Sequence, residues 1–231
     1  MKFKELFGEE WYKELEEYIN SSDFLDIGMN IAYQRIEGKL IIPYKGSDLL
    51  FKAFRMTPYS KVKVVILSQD IYHSVNSDGV PVYDGLAFSN STSFKPQPSL
   101  KNILKEVESD VYDGCNPDRL ANHSLYEWAE QGVLLINVAH TVEAGKPGSH
   151  MELWKPFTEF VIRKLQNKKD LIWILWGNFA KSYKQYITAK GHFIIEGIHP
   201  SPLAGGGFFG GKYFSRCNEQ LEALGEEKII W

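Results

Sequence analysis

Four stretches of this chain carry apolar side chains at nearly every position for the length of a strand, then turn polar within a residue or two. They are residues 62–67, 133–136, 171–176 and 193–195. Unbroken runs of β-branched and aliphatic residues fit strands covered on both faces. Around them the period changes to 3.6. Residues 9–20 set Trp11, Leu15, Tyr18 and Ile19 on one helical face, and 100–111, 153–165, 179–187 and 216–224 also read as helices. Asp23 is placed to cap a helix carrying Phe24, Leu25 and Ile27. Ser47 or Asp48 could cap one running to Phe54, and Ser99 the one from Leu100. Ser124-Leu125-Tyr126-Glu127 reads as a capping box, and Leu40-Ile41-Ile42 as a short extended piece. Strands alternating with helices predict an α/β fold: a single domain over residues 1–231, with a central four-stranded parallel twisted sheet flanked by helices on both faces. No repeat or linker divides the chain.

The polar ends of the four runs carry the candidate chemistry. They hold Gln69-Asp70, Asn137, Gly177-Asn178 and His199. Parallel strands bring all four to one edge of the sheet, where ligands of open α/β folds bind. Four unrelated turns seldom supply a carboxylate, an amide, a glycine turn and an imidazole. Gly85-Leu86-Ala87-Phe88-Ser89 adds an aromatic in a turn, and His199-Pro200-Ser201-Pro202-Leu203 a serine between prolines. Taken singly these residues have plainer readings: a turn aspartate, a backbone-tied histidine, a core phenylalanine, a serine N-cap.

Composition narrows the class. With 231 residues, 44% hydrophobic and 14% aromatic, the chain can bury one sizeable core. No apolar run approaches the ~20 residues that span a bilayer, so no membrane role is expected. The charged opening, residues 1–5, lacks the apolar core of a secretion signal, and a cytoplasmic location is expected. Cys115 and Cys217 show neither metal-ligand spacing nor a disulfide framework, which leaves a reduced protein without structural metal. The net charge of −3 argues against indiscriminate coating of nucleic acid. A local basic face could still draw on Lys95, Lys101, Lys146, Lys212 and Arg216.

Several blocks occur in order over nearly the whole chain: Phe54-Arg55 through Pro58, residues 62–73, 85–89, Pro98-Ser99-Leu100, 132–137, Leu175-Trp176-Gly177, 199–203 and Gly207-Phe208-Phe209-Gly210. Together they resemble the family-1 uracil-DNA glycosylases. The resemblance implies an enzyme that flips uracil out of DNA and hydrolyses its N-glycosidic bond, without metal or cofactor. By the same resemblance Asp70 would stabilise an oxocarbenium-like sugar and orient or deprotonate the attacking water. His199 would donate a hydrogen bond to the 2-carbonyl oxygen of the departing uracil. Asn137 would read the Watson–Crick edge, Phe88 would stack on the base, Tyr72 would exclude a 5-methyl group and Gln69 would form part of the pocket floor. Ser99, Gly177, Asn178 and Ser201 would hold phosphates, and Leu203 would wedge into the base stack. The implied partners are uracil-containing single- and double-stranded DNA and a DNA-mimicking inhibitor protein, with the chain acting as a monomer.

Three departures from the family pattern carry expectations of their own. Ile71 stands where the family has proline, and Ser68 where it has glycine. The loop between His73 and Gly85 is longer, which could displace Tyr72 and admit a 5-substituted uracil. Ala204-Gly205-Gly206-Gly207 replaces a longer, more basic segment, which predicts a preference for single-stranded DNA. The competing readings are a glycosylase of the same fold for such a 5-substituted base, and a DNA-binding subunit with a replication role.

Overall fold

The structure, a computed structural model, describes residues 3–90, 94–115 and 122–231, so the Met1-Lys2 opening lies outside the described residues. Helices α1 (Phe3–Phe7), α2 (Glu9–Ile19) and α3 (Ser22–Ile36) lead into strand β1 (Ile41–Ile42) and helix α4 (Lys52–Met56). Strand β2 (Val64–Asp70), α5 (Pro98–Val111), α6 (Tyr126–Glu130), β3 (Val133–Ala139) and β4 (Val142–Glu143) follow. The chain continues through α7 (Met151–Leu165), β5 (Ile172–Trp176), α8 (Gly177–Ser182), β6 (Phe193–Gly197) and α9 (Tyr213–Ala223). The four expected runs pair in parallel in the order β3-β2-β5-β6. The five residues Val64–Ser68 of β2 and all seven of β3 are buried, so helices cover both faces of the sheet. Strand β6 buries only Ile195 of its five residues, in keeping with its place at the edge of the sheet.

The exposed edge of β3 is not left bare. Ala87 N–H donates to the Leu135 carbonyl at 3.1 Å, so the 85–89 turn runs along it and brings Phe88 to the tips of the strands.

Several boundaries differ from the sequence expectation, each for a local reason. Ser21, and not Asp23, caps α3: its side chain accepts from Phe24 N–H at 3.3 Å. The Ser47 hydroxyl accepts from Leu49 N–H within a turn, and Phe51 has φ +58, which no helix interior tolerates, so α4 starts only at Lys52. Ser99 is no cap, because Pro98 takes the first helical position and Ser99 lies inside α5. The 124–127 capping box does not form. Ser89 Oγ accepts from Leu125 N–H at 2.9 Å, and α6 begins at Tyr126 without a side-chain cap. The last helix starts early, at Tyr213, because the Asp110 carboxylate of α5 accepts from Phe214 N–H, Ser215 N–H and the Ser215 hydroxyl. The 179–187 pattern is the short α8 followed by a 3₁₀ turn, Tyr183–Tyr186. The β1–β4 pair, with Ile42 opposite Val142, has too few residues to show any period.

Beside the sheet, Phe51, Phe54, Trp154 and Phe157 surround His140 at ring-centroid distances of 5.1 to 5.7 Å. His140 is 5% exposed and its Nε2 has no hydrogen-bond partner among the described residues. Burial pushes its pKa down to about 3. The unfolded chain therefore binds a proton that the native state refuses, and stability is lost as pH falls below the unfolded value of about 6.5. At pH 5 this penalty is about 2 kcal/mol, each pH unit being worth about 1.4 kcal/mol. His140→Leu is expected to lose that much less stability than the parent between pH 7.5 and pH 5 in urea titrations. An equal loss in both proteins would show that His140 is not the proton acceptor.

Candidate active site

Asp70 ends β2, and two bonds fix it. Its backbone carbonyl accepts from Asn137 Nδ2 at 2.8 Å, and its carboxylate Oδ2 accepts from Gly148 N–H at 2.6 Å. Asn137 is not a strand terminus as expected. It lies inside β3, paired with Ser68, and β3 runs two residues further. Its 3% exposed amide spends one N–H on Asp70, which orients the side chain and leaves Oδ1 and the second N–H to present as an acceptor–donor pair.

His199 follows β6 by two residues and packs against Gly177. A Cβ added at Gly177 would sit 2.8 Å from His199 Cβ, and Gly177 has φ +83, so only glycine fits. His199 Nδ1 accepts from Ser201 N–H at 3.0 Å, which puts the proton of the neutral ring on Nε2. Burial lowers the His199 pKa, which keeps the ring neutral. The loop is tied down from α5, where Asn102 Nδ2 donates to the Pro200 carbonyl at 2.7 Å.

Phe88 lies 6.0 Å from the His199 ring and 5.5 Å from that of Trp176. It has φ +62, a conformation bulky residues avoid, and the surroundings hold it there. The Tyr72 hydroxyl donates to the Phe88 carbonyl at 3.1 Å, which links the two aromatic side chains, and the Tyr72 phenol is pushed up by burial. Asp84 closes the same turn: it accepts from the Ser89 hydroxyl at 2.6 Å and from Leu86 N–H at 3.4 Å. Burial pushes its carboxyl up to about 6.

These groups enclose one cavity of about 410 Å³. Gln69, Asp70, Tyr72, Phe88, Asn137 and His199 line it, together with Ser99, Ser201 and Leu203. Gly177 and Asn178 are not in its lining; they form the first turn of α8, with Gly177 against His199. The long loop after His73 leaves the hollow open, and only its Tyr83 reaches the wall. Sequence reasoning gave no role to His73, Tyr83, Pro147 or Gly148. His73 lines the cavity with Nδ1 buried and unpartnered among the described residues. Gly148 acts through its backbone, which no side-chain pattern reveals. A larger hollow of about 620 Å³, beside Lys63 and Leu171 at the other end of the strands, has lysines and carboxylates in its walls but no aromatic ring. Among the described residues no group of three or more His, Cys, Asp or Glu is placed to hold a metal ion.

Residues 54–222 match the family profile of the Uracil DNA glycosylase superfamily. The chain is 42% identical over 225 residues to a uracil-DNA glycosylase of Dichelobacter nodosus, covering 96% of this chain and 94% of that one. The chain belongs to the uracil-DNA glycosylase superfamily. It is 43% identical to uracil-DNA glycosylase 1 of Listeria innocua, with 96% of each chain covered. Among solved structures, the mimivirus uracil-DNA glycosylase superposes with a TM-score of 0.87 at 28% identity, over 100% of this chain and 89% of that one. A point variant of mimivirus UNG in complex with UGI gives 0.90 at 29%, over 100% and 91%.

As a uracil-DNA glycosylase the chain carries its distinctive residues in defined places. Ile71 is 2% exposed, so its side chain anchors the Asp70 turn. Leu203 is 97% exposed on a 3₁₀ turn, Pro202–Ala204, and its N–H donates to Ser201 Oγ at 3.3 Å. Gly205 and Gly206 follow with φ +78 and +80. Of the candidate cations, Lys146 is tied to Glu143 at 2.7 Å, while Lys95, Lys101 and Lys212 are exposed.

Proposed function

We propose that this chain removes uracil from DNA by hydrolysing the N-glycosidic bond of a flipped nucleotide, in base excision repair. The carrying observation is that Asp70 at the end of β2, Asn137 within β3 and His199 just after β6 line one cavity together with Phe88 and Tyr72. Asn137 offers Oδ1 to the N3–H of uracil and N–H to its O4. Cytosine presents the reverse pattern and leaves both groups unpaired. Phe88 stacks on the ring, Gln69 closes the floor, and Tyr72 meets C5.

As the C1′–N1 bond lengthens, its electron pair moves onto the base, and His199 Nε2–H stabilises the charge that collects on O2. A neutral imidazole suits this role, since it donates without surrendering a proton. Positive charge on the sugar faces the Asp70 carboxylate, which also accepts a proton from the attacking water as the new C1′–O bond forms. The products are the uracil anion, which takes up a proton once released, and an abasic deoxyribose, and Asp70 returns its proton to solvent.

Ser99, Ser201 and the Gly177-Asn178 turn supply hydroxyls and backbone N–H groups to the flanking phosphates, and Leu203 fills the gap left in the stack. A DNA-mimicking inhibitor protein would dock on the same face, in line with the likeness to a mimivirus UNG solved with UGI. The test is release of uracil from a single-stranded oligonucleotide with one deoxyuridine, beside an identical one carrying thymidine. No uracil release sinks the reading. Leu203→Ala is expected to slow duplex substrate about tenfold and single strands less than twofold, because only a duplex has a stack to refill at a cost of a few kcal/mol. Equal slowing of both would place Leu203 outside base flipping.

A further inference from the structure

We propose that a small second core behind the cavity, built on Ile71 and Tyr83, sets the wall that rejects a substituent at C5 of the base; this rests on the uracil reading above. Ile71 lines the cavity between Asp70 and Tyr72, and its buried side chain also packs into a cluster with Ile42, Tyr83 and Val142. Those four are 2, 0, 5 and 0% exposed respectively, and they form a group separate from the main core. Val75, Ala144 and Tyr72 itself pack against them.

The cluster joins three segments. One is the turn bearing Asp70. Another is the β1–β4 pair, which leads on to Gly148 and its bond to the Asp70 carboxylate. The third is the long loop, which returns at Tyr83. That loop is closed on itself. Val75 bridges Pro81, Val82 N–H donates to the Ser74 carbonyl at 3.0 Å, and Asn76 Oδ1 accepts from Asp78 and Val80 N–H at 2.9 and 2.8 Å. The Tyr44 hydroxyl donates to the Gly79 carbonyl from outside.

Tyr72 is therefore held at both ends, by its hydroxyl on the Phe88 carbonyl and by its ring on the cluster. A methyl or hydroxymethyl group at C5 cannot be admitted by turning one side chain; it has to displace close-packed neighbours. The added loop length tightens the wall, the reverse of the displacement its length alone suggests. Ile71 and Tyr83 are positioning residues.

The experiment measures single-turnover release of uracil and of 5-hydroxymethyluracil from otherwise identical single strands. The parent is expected to prefer uracil strongly, and Ile71→Ala and Tyr83→Ala are each expected to lower that preference at least tenfold. Ile71→Val should retain it. Val161→Ala, in the main core, is the control: it should lower Tm and leave the preference unchanged. Should Ile71→Ala fail to fold, Tyr83→Ala, on the returning loop, decides. An unchanged preference in the alanine variants, with activity falling only in step with Tm, overturns the proposal. So does a parent that releases both bases equally. A parent that releases neither defeats the uracil reading itself.

Discussion

Asp70→Asn is expected to slow uracil release by about 10³-fold, the range in which a positioned base and a fixed charge contribute to catalysis. The substitution is nearly isosteric. Asparagine Oδ1 can still accept from Gly148 N–H, and the Asp70 carbonyl that orients Asn137 is unaffected. What disappears is the negative charge proposed to face the sugar and to accept the proton of water. The loss should fall on kcat, with KM and the affinity for free uracil unchanged, and single-turnover measurements separate the two. A variant that keeps a tenth of the parent rate would remove Asp70 from the chemistry. A rise in KM of the same size would instead mean that the cavity had collapsed.

Gly177→Ala is expected to cost about 10²-fold in kcat, near the loss seen when one donor to a developing oxyanion is misplaced. Two effects act together. The backbone at φ +83 is strained by any side chain, for about 1–3 kcal/mol, and the new Cβ meets His199 Cβ at 2.8 Å. The imidazole must move away from the place proposed for O2 of uracil. Gly205→Ala is the matched comparison, with φ +78 but no atom within 4 Å of its Cβ, and it should lower activity less than threefold by strain alone.

The pH dependence gives an independent reading of the same substitution. In the parent, burial holds the His199 pKa below its ordinary value, so the competent neutral ring persists as pH falls through about 6.5. A displaced, better hydrated ring regains protons nearer that pH, which removes the acceptor for Ser201 N–H. The acid limb of the rate profile should move upward in Gly177→Ala and stay in place in Gly205→Ala.

Much of this arrangement was legible in the sequence, for definite reasons. Strands buried on both faces have a strong signature, and β2, β3, β5 and β6 were found with small errors of length. Parallel pairing then carries Asp70, Asn137 and His199 to one edge whatever the details of the turns. What escaped depended on partners distant in the chain. Ser124 looks like an N-cap until Ser89 claims Leu125 N–H, and the start of α9 is decided by Asp110, more than a hundred residues earlier. Gly148 contributes an N–H that every residue but proline possesses. Ile71 reads as a lost proline, and only the cluster beneath it shows why an apolar side chain belongs there.

The proposed catalytic groups come from positions as far apart as 70 and 199, brought together only once the crossovers from β2 to β3 and on to β6 are in place. No contiguous fragment holds the set, and no partly assembled sheet brings it together. Catalytic competence should therefore arise only at the last stage of refolding, in a single kinetic phase with the final change in tryptophan fluorescence. Turnover is then a sensor of complete folding, and a chain nicked between β3 and β5 recovers it only if both pieces reassociate.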